Sequence, residues 1–92
     1  MNEQTIQKKI IKHLESIGAY VIKIVVAQRS GIPDLICCYR GKFIALEVKS
    51  ETGKVSALQT YNIQKIKEQD GHAYVVRSVE EVKDIIKQLE AI

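Results

Sequence analysis

Between residues 31 and 49 the sequence reads GIPDLICCYRGKFIALEVK, with Asp34 directly after Pro33 and a Glu-x-Lys, Glu47 and Lys49, closing the run. Two carboxylates and an amine are the parts of a hydrolytic centre. Hard oxygen ligands from one or two carboxylates, with water in the remaining positions, are what Mg²⁺ prefers, and Mn²⁺ accepts the same set. A cation held so polarises a phosphate oxygen and lowers the pKa of a bound water, making a nucleophile for phosphodiester hydrolysis. Lys49 would orient or deprotonate that water, or stabilise the charge developing on the phosphate.

This chemistry requires Asp34 and Glu47 to meet, and the strands around them decide whether they do. DLICCY (34–39) and FIALEVK (43–49) read as two strands, with a hairpin signal at Arg40, Gly41 and Lys42. Side chains alternate along a strand, so Glu47 and Lys49 share a face. If Arg40 and Gly41 form a two-residue loop, Tyr39 pairs with Lys42 and Asp34 falls opposite Glu47, with Cβ atoms about 4.5 to 5.5 Å apart. An odd-numbered loop without a bulge would send Asp34 to the other face, and Arg-Gly is not the favoured Asn-Gly. Like charges that close repel, and Lys49 offsets only one of them; a divalent cation resolves the conflict. The alternative reading makes Asp34 a turn residue and Glu47 and Lys49 a solvated strand face. A Pro-Asp followed by Glu-x-Lys at such spacing arises by chance in about one chain of this length in a hundred.

The remaining elements follow from periodicity. Ile6, Ile10, Leu14 and Ile17 predict a helix over 3–17 that Gly18 ends, and YVIKIVV predicts a strand over 20–26. Ser56 and Gln59 form a capping-box pattern ahead of a helix with apolar positions at Leu58, Tyr61, Ile63 and Ile66, which Gly71 is placed to stop. HAYVVR (72–77) is a fourth strand. Ser78 and Glu81 repeat the capping pattern before a last helix striped by Val82, Ile85, Ile86 and Leu89. The order α-β-β-β-α-β-α predicts an α/β fold with a mixed sheet, its third and fourth strands parallel across a right-handed helical crossover.

At 92 residues, 46% hydrophobic and 27% charged, the chain reads as one globular domain, 1–92, without repeats or linkers. Cys37 and Cys38 cannot build a disulfide framework or a zinc site and read as small buried hydrophobes of a reducing compartment. The polar N-terminal segment and the lack of a long apolar run argue against secretion and membrane spanning, so the expected location is the cytoplasm. The net charge of +3 is small, but residues 1–54 hold nine basic and five acidic side chains against five and six in the rest. The basic excess therefore lies in the half that carries Asp34, Glu47 and Lys49. Lys23, Arg29, Arg40, Lys42 and Lys54 are the candidates for phosphate contacts because they are expected to flank that site. His13 and His72 have no ligand-like spacing, and Tyr20, Tyr61 and Tyr74 read as core or strand aromatics rather than base-stacking platforms.

The Asp34 and Glu47-x-Lys49 motif resembles the PD-(D/E)XK nuclease superfamily, whose shared core has a similar element order. More narrowly, Glu3-x-x-Ile6-Gln7, Gly31-Ile32-Pro33-Asp34-Leu35, Glu47-Val48-Lys49 and Gly53-Lys54-x-Ser56-x-x-Gln59 resemble the VRR-NUC family, a likeness that runs from Glu3 to about Val82. Ala57 departs from a proline common after that serine, and the stretch before Gly31 is shorter than in many relatives. The resemblance implies a restriction-endonuclease-like fold and a Mg²⁺- or Mn²⁺-dependent DNA endonuclease. It makes Asp34 and Glu47 metal ligands, adds the backbone carbonyl of Val48, makes Lys49 the catalytic lysine, places Glu3 near the metal or its waters, and counts Glu3 and Gln59, the glutamine that opens the second helix, among the catalytic residues. Taken from their own positions, Glu3 is only a first-turn acid and Gln59 only a capping partner. The expected substrate is branched DNA such as a Holliday junction, cut by a homodimer with two active sites, and a phage or mobile-element origin fits the family and the size. The rivals are a junction-binding protein on the same fold without catalysis and an unrelated interaction module.

Overall fold

The computed structural model describes residues Met1–Ile92. The chain runs α1 (Glu3–Ser16), β1 (Tyr20–Lys23), β2 (Leu35–Tyr39), β3 (Lys42–Val48), α2 (Ala57–Glu68), β4 (His72–Val76) and α3 (Val79–Glu90). One four-stranded sheet has the order β1-β2-β3-β4, with β1, β2 and β3 antiparallel in turn and β3 parallel to β4. The α/β class and mixed sheet expected from the pattern are therefore observed. The parallel pair is the one whose connection carries a helix, as such a pair requires.

β3 is central and its residues Ile44 to Val48 are all buried. Ile44, Leu46 and Val48 join Leu35 and Cys37 of β2, Val76 of β4, Ile6, Ile10 and Leu14 of α1, and Val82, Ile86 and Leu89 of α3 in the main core. Fully burying one such Leu or Ile side chain contributes about 1.5–3 kcal/mol. Residues of the alternate set, Ala45 and Ala73, meet Ile63 of α2 on the opposite face. Small residues there let α2 lie close to the sheet. α2 therefore rests on a narrow stripe, and Leu58 and Tyr61, expected among its apolar positions, are 47% and 54% exposed. The inward positions they were expected to fill go instead to buried Asn62 and half-buried Gln59.

Several boundaries differ from the sequence pattern for local reasons. β1 stops at Lys23 rather than Val26: Ile24 N–H still donates to Asp34 O at 2.8 Å, but β2 begins after Pro33, which has no N–H to extend the ladder. Val25 and Val26 consequently leave the sheet and are exposed. At the end of α2 it is Asp70, with φ 64°, and not Gly71 that takes the left-handed position. Ser78 caps α3 by accepting from Glu81 N–H, but Glu81 accepts from Arg77 N–H instead of closing the box on Ser78. Cys37 is buried and Cys38 exposed, so only one of the two is a core residue. Tyr20 is a strand aromatic but lies on the open surface, 68% exposed.

Candidate active site

The β2–β3 hairpin places the two acids. Arg40 (φ 50°) and Gly41 (φ 80°) both take positive φ, the geometry of a type I′ turn, and Tyr39 pairs with Lys42. A two-residue loop is even, so the register runs back through Leu35 opposite Leu46, and the next step sets Asp34 opposite Glu47. Asp34 stands just ahead of β2 and its Oδ2 accepts from Val48 N–H at 2.8 Å, which ties its carboxylate across to β3. Lys49 follows the strand on the Glu47 side, with Nζ 3.8 Å from Glu47 Oε2. The side chains of Glu47 and Lys49 are only 3% and 13% exposed.

α2 completes the wall. The capping box at Ser56 forms as expected, with Gln59 N–H donating to Ser56 Oγ and Ser56 N–H to Gln59 Oε1. The other end of the Gln59 amide, Nε2, donates to Glu47 Oε2 at 3.1 Å. One glutamine thus both starts the helix and holds an acid of the site. Glu3, at the start of α1, arrives from the other side: its Oε2 accepts from Ser50 N–H at 3.3 Å, immediately after Lys49.

Glu47 Oε1 is buried and has no hydrogen-bond partner. Leaving a buried acceptor unsatisfied costs about 1–3 kcal/mol, and more when it is charged. The pKa of Glu47 is pushed up to about 8, first by burial and then by the adjacent Asp34 carboxylate, with Glu3 adding; Lys49 opposes the shift only in part. At neutral pH the pair therefore needs either a shared proton or a cation. No group of three or more His, Cys, Asp or Glu side chains is gathered closely enough to cage a metal. The donor set is two hard carboxylates with Glu3 beyond them, and it fits an ion that keeps several of its waters, as Mg²⁺ does. Val48 lies between Glu47 and Lys49, and its amide is committed to Asp34.

The basic candidates divide. Lys23 ends β1 beside Leu35, Arg29 lies in the loop that leads to Asp34, and Lys54 follows Gly53 near Glu3; all three are exposed at the site end of the sheet. Arg40 and Lys42 do not flank the site. They occupy the hairpin at the other end of β2 and β3, roughly 20 Å away along the strands. Arg40 there lies over the Tyr39 ring and 3.6 Å from Glu90. Their sequence proximity to the motif hid the length of the hairpin.

Three residues outside the expected set are tied to this end of the molecule. Buried Asn62 donates through Nδ2 to Ser30 O at 3.2 Å and Leu58 O at 2.9 Å, docking α2 on the loop that carries Asp34. A polar residue one turn after Gln59, in the middle of an apolar stripe, was its signal. Gln7 is buried with Oε1 unpartnered, one turn behind Glu3 on the same helix face. Arg77, after β4, donates to the Ser50 and Gly53 carbonyls, and nothing in its sequence context marks it.

With this geometry in hand, comparison with known proteins is specific. A family model described as the VRR-NUC domain matches residues 1–80. A solved VRR-NUC domain is 30% identical, with 92% of this chain and 94% of that one covered and a TM-score of 0.81. A second VRR-NUC domain protein is 19% identical over 96% and 87% of the two chains, with a TM-score of 0.77. The fold is also similar to that of Hjc from Archaeoglobus fulgidus, a Holliday junction resolvase, at 20% identity, 82% and 67% coverage and a TM-score of 0.63. No curated protein matches the sequence. The family match over most of its length and the well-covered VRR-NUC structure establish that the chain belongs to the VRR-NUC family of nucleases.

Proposed function

We propose that this protein is a divalent-metal-dependent endonuclease that hydrolyses phosphodiester bonds in DNA, with a preference for branched substrates. The observation that carries the reading is the Asp34–Glu47 pair, side by side in register, with a buried carboxylate oxygen left unpartnered and a lysine beside it. Asp34 and Glu47 would hold Mg²⁺ or Mn²⁺, with Glu3 near the ion or its waters and the Val48 carbonyl as the ligand the family likeness adds. A bound ion of this kind supplies a Lewis acid for the phosphate and acidifies water.

The chain's own residues prepare the rest. Val48 N–H and Gln59 Nε2 fix one oxygen of each carboxylate, which leaves the free oxygens Oδ1 of Asp34 and Oε1 of Glu47 for the ion. Lys49, largely enclosed, brings a positive charge or a proton to the mouth of the site without a costly rearrangement at the moment of reaction. Lys23, Arg29 and Lys54 are placed to contact phosphates on either side of the cut. Shape rather than base sequence would then set specificity, because backbone contacts carry no sequence information directly.

Likeness to the fold of a Holliday junction resolvase supports branched DNA as the substrate class. Resolving a four-way junction needs two incisions, and we infer a C₂ homodimer that supplies both sites. An open apolar sheet face supports it: exposed Tyr20, Cys38 and Phe43 form one cross-strand row, and exposed Ile22 stands in the next beside Ile36, which is partly buried against the α2 contact.

Labelled four-way junction, flap and linear duplex, each with Mg²⁺, Mn²⁺ or EDTA, test the reading. Metal-dependent cleavage that favours the branched DNAs is expected. Cleavage that persists in EDTA would overturn the metal dependence, and tight junction binding without cleavage in either metal would make this a junction-binding protein instead.

A further inference from the structure

The turn Ser50–Gly53 joins the strand that bears Glu47, with Lys49 just after it, to the capping box that positions Gln59. One cation holds it. Half-buried Arg77 donates from Nη1 to Ser50 O at 2.6 Å and to Gly53 O at 2.8 Å, with Glu51 O at 3.5 Å. Arg77 takes part in none of the ion pairs of the molecule. Its bound partners are backbone carbonyls of a single turn. Its root is fixed as well, since Lys49 N–H donates to Val76 O at 2.9 Å and Arg77 N–H donates to Glu81 Oε2 at 3.4 Å.

The same turn is the seat of Glu3. Ser50 N–H donates to Glu3 Oε2, and a Cβ on Gly53 would lie 2.8 Å from that oxygen. Glu3 therefore reaches the site only while the turn presents the Ser50 amide and keeps Gly53 bare beneath it. Gly53 N–H closes the turn on Ser50 O at 3.1 Å, the oxygen Arg77 also grips. Ser50 thus has its carbonyl held by Arg77 and its amide offered to Glu3. Charge-assisted bonds to carbonyls are about twice as strong as neutral ones, and here two short ones converge on one nitrogen.

We propose that Arg77 is a positioning residue of the nuclease site: by clamping the Ser50–Gly53 turn it seats the Glu3 carboxylate at the end of β3. The proposal rests on the nuclease reading for its consequence in catalysis, while the clamp itself can be measured without any DNA. It distinguishes Arg77 from Lys23, Arg29 and Lys54, which are exposed and make no hydrogen bond to the turn.

Amide hydrogen exchange on wild type, Arg77→Ala and Arg77→Lys reads the clamp. Exchange at Ser50 and Gly53 is expected to rise about tenfold or more in Arg77→Ala, with Leu46 and Val48 unchanged and Arg77→Lys near wild type. Single-turnover junction cleavage reads the consequence: Arg77→Ala should lower the maximal rate about 10–100-fold, as small misplacements in a site do, with KM for DNA unchanged. Guanidinium ion at millimolar concentration should restore part of that rate. In a Glu3→Gln background the added loss should be less than about twofold, because both changes act through one carboxylate.

Unchanged exchange at Ser50 and Gly53 would overturn the clamp. A loss in the Glu3→Gln background as large as in wild type, or a raised KM with an unchanged rate, would overturn its action through Glu3. If the wild type cut no DNA, the nuclease reading and Arg77's place in it would both fall, and exchange would still decide the clamp alone.

Discussion

Glu47 carries the conflict on which the site is built: a buried carboxylate beside a second acid, with one oxygen unpartnered. Its pKa is raised from the ordinary range near 4.5 to about 8. A raised carboxyl pKa means the folded protein favours the neutral form, so this contribution to stability is complete below about 4.5 and is lost as pH rises through about 8. Thermal unfolding in EDTA from pH 5 to 9 should therefore show wild type falling relative to Glu47→Gln, whose amide cannot ionise. Parallel curves would mean that Glu47 is not held neutral. Lys49→Ala should leave the fold intact, since it is the first residue after β3 and lies outside the core, and should lower the cleavage rate by about 10²–10⁴-fold, the range for a lost acid or base. Circular dichroism together with single-turnover rates checks both halves of that expectation.

Glycines separate two elements that look alike in sequence. Gly31 and Gly41 both have φ near 80°, but a Cβ on Gly31 would lie 2.7 Å from the Leu58 side chain and 2.9 Å from Asn62 Nδ2, whereas one on Gly41 meets nothing. Gly41→Ala should cost about 1–2 kcal/mol from backbone strain alone and leave cleavage unchanged. Gly31→Ala should cost more, because the added methyl wedges α2 from the loop that carries Asp34, and it should also lower cleavage. Denaturant unfolding and rates on the two variants check the contrast; equal effects would contradict it.

The same scale shows what was legible in the sequence. Strand alternation and an even hairpin loop were enough to bring Asp34 opposite Glu47, and Ser56 with Gln59 marked the start of α2, because those relations are local. That Gln59 also reaches Glu47 is a contact between a helix and a strand 12 residues apart, which neither capping pattern nor strand alternation marks. Arg40 and Lys42 stand at the far end of the hairpin from the two acids; distance along a chain says little about which end of a hairpin a residue occupies. Asn62 and Arg77 act across 32 and 27 residues of sequence, on backbone carbonyls, and periodicity carries no trace of such contacts.

For the whole molecule, the two faces of the sheet are unequal. α1 and α3 cover one face with large aliphatic side chains, while on the other α2 leaves Tyr20, Ile22 and Phe43 at 68%, 42% and 45% exposure. If that face joins two copies, light scattering after size exclusion should give the mass of a dimer at micromolar concentration. Phe43→Glu, which puts a charge at the β3 end of the row, should give a monomer that still unfolds cooperatively. A wild-type monomer at that concentration would contradict the dimer.

Asp34 and Glu47 stand so close, one of them buried, that they should share either a proton or a divalent cation. Calorimetric titration of Mn²⁺ at pH 7, in two buffers of different ionisation enthalpy, tests it most directly. Binding should release a proton, because Glu47 must ionise to take the ion, and should be lost in Asp34→Ala and Glu47→Gln. Binding with no proton release, or binding of equal strength in both variants, would contradict it.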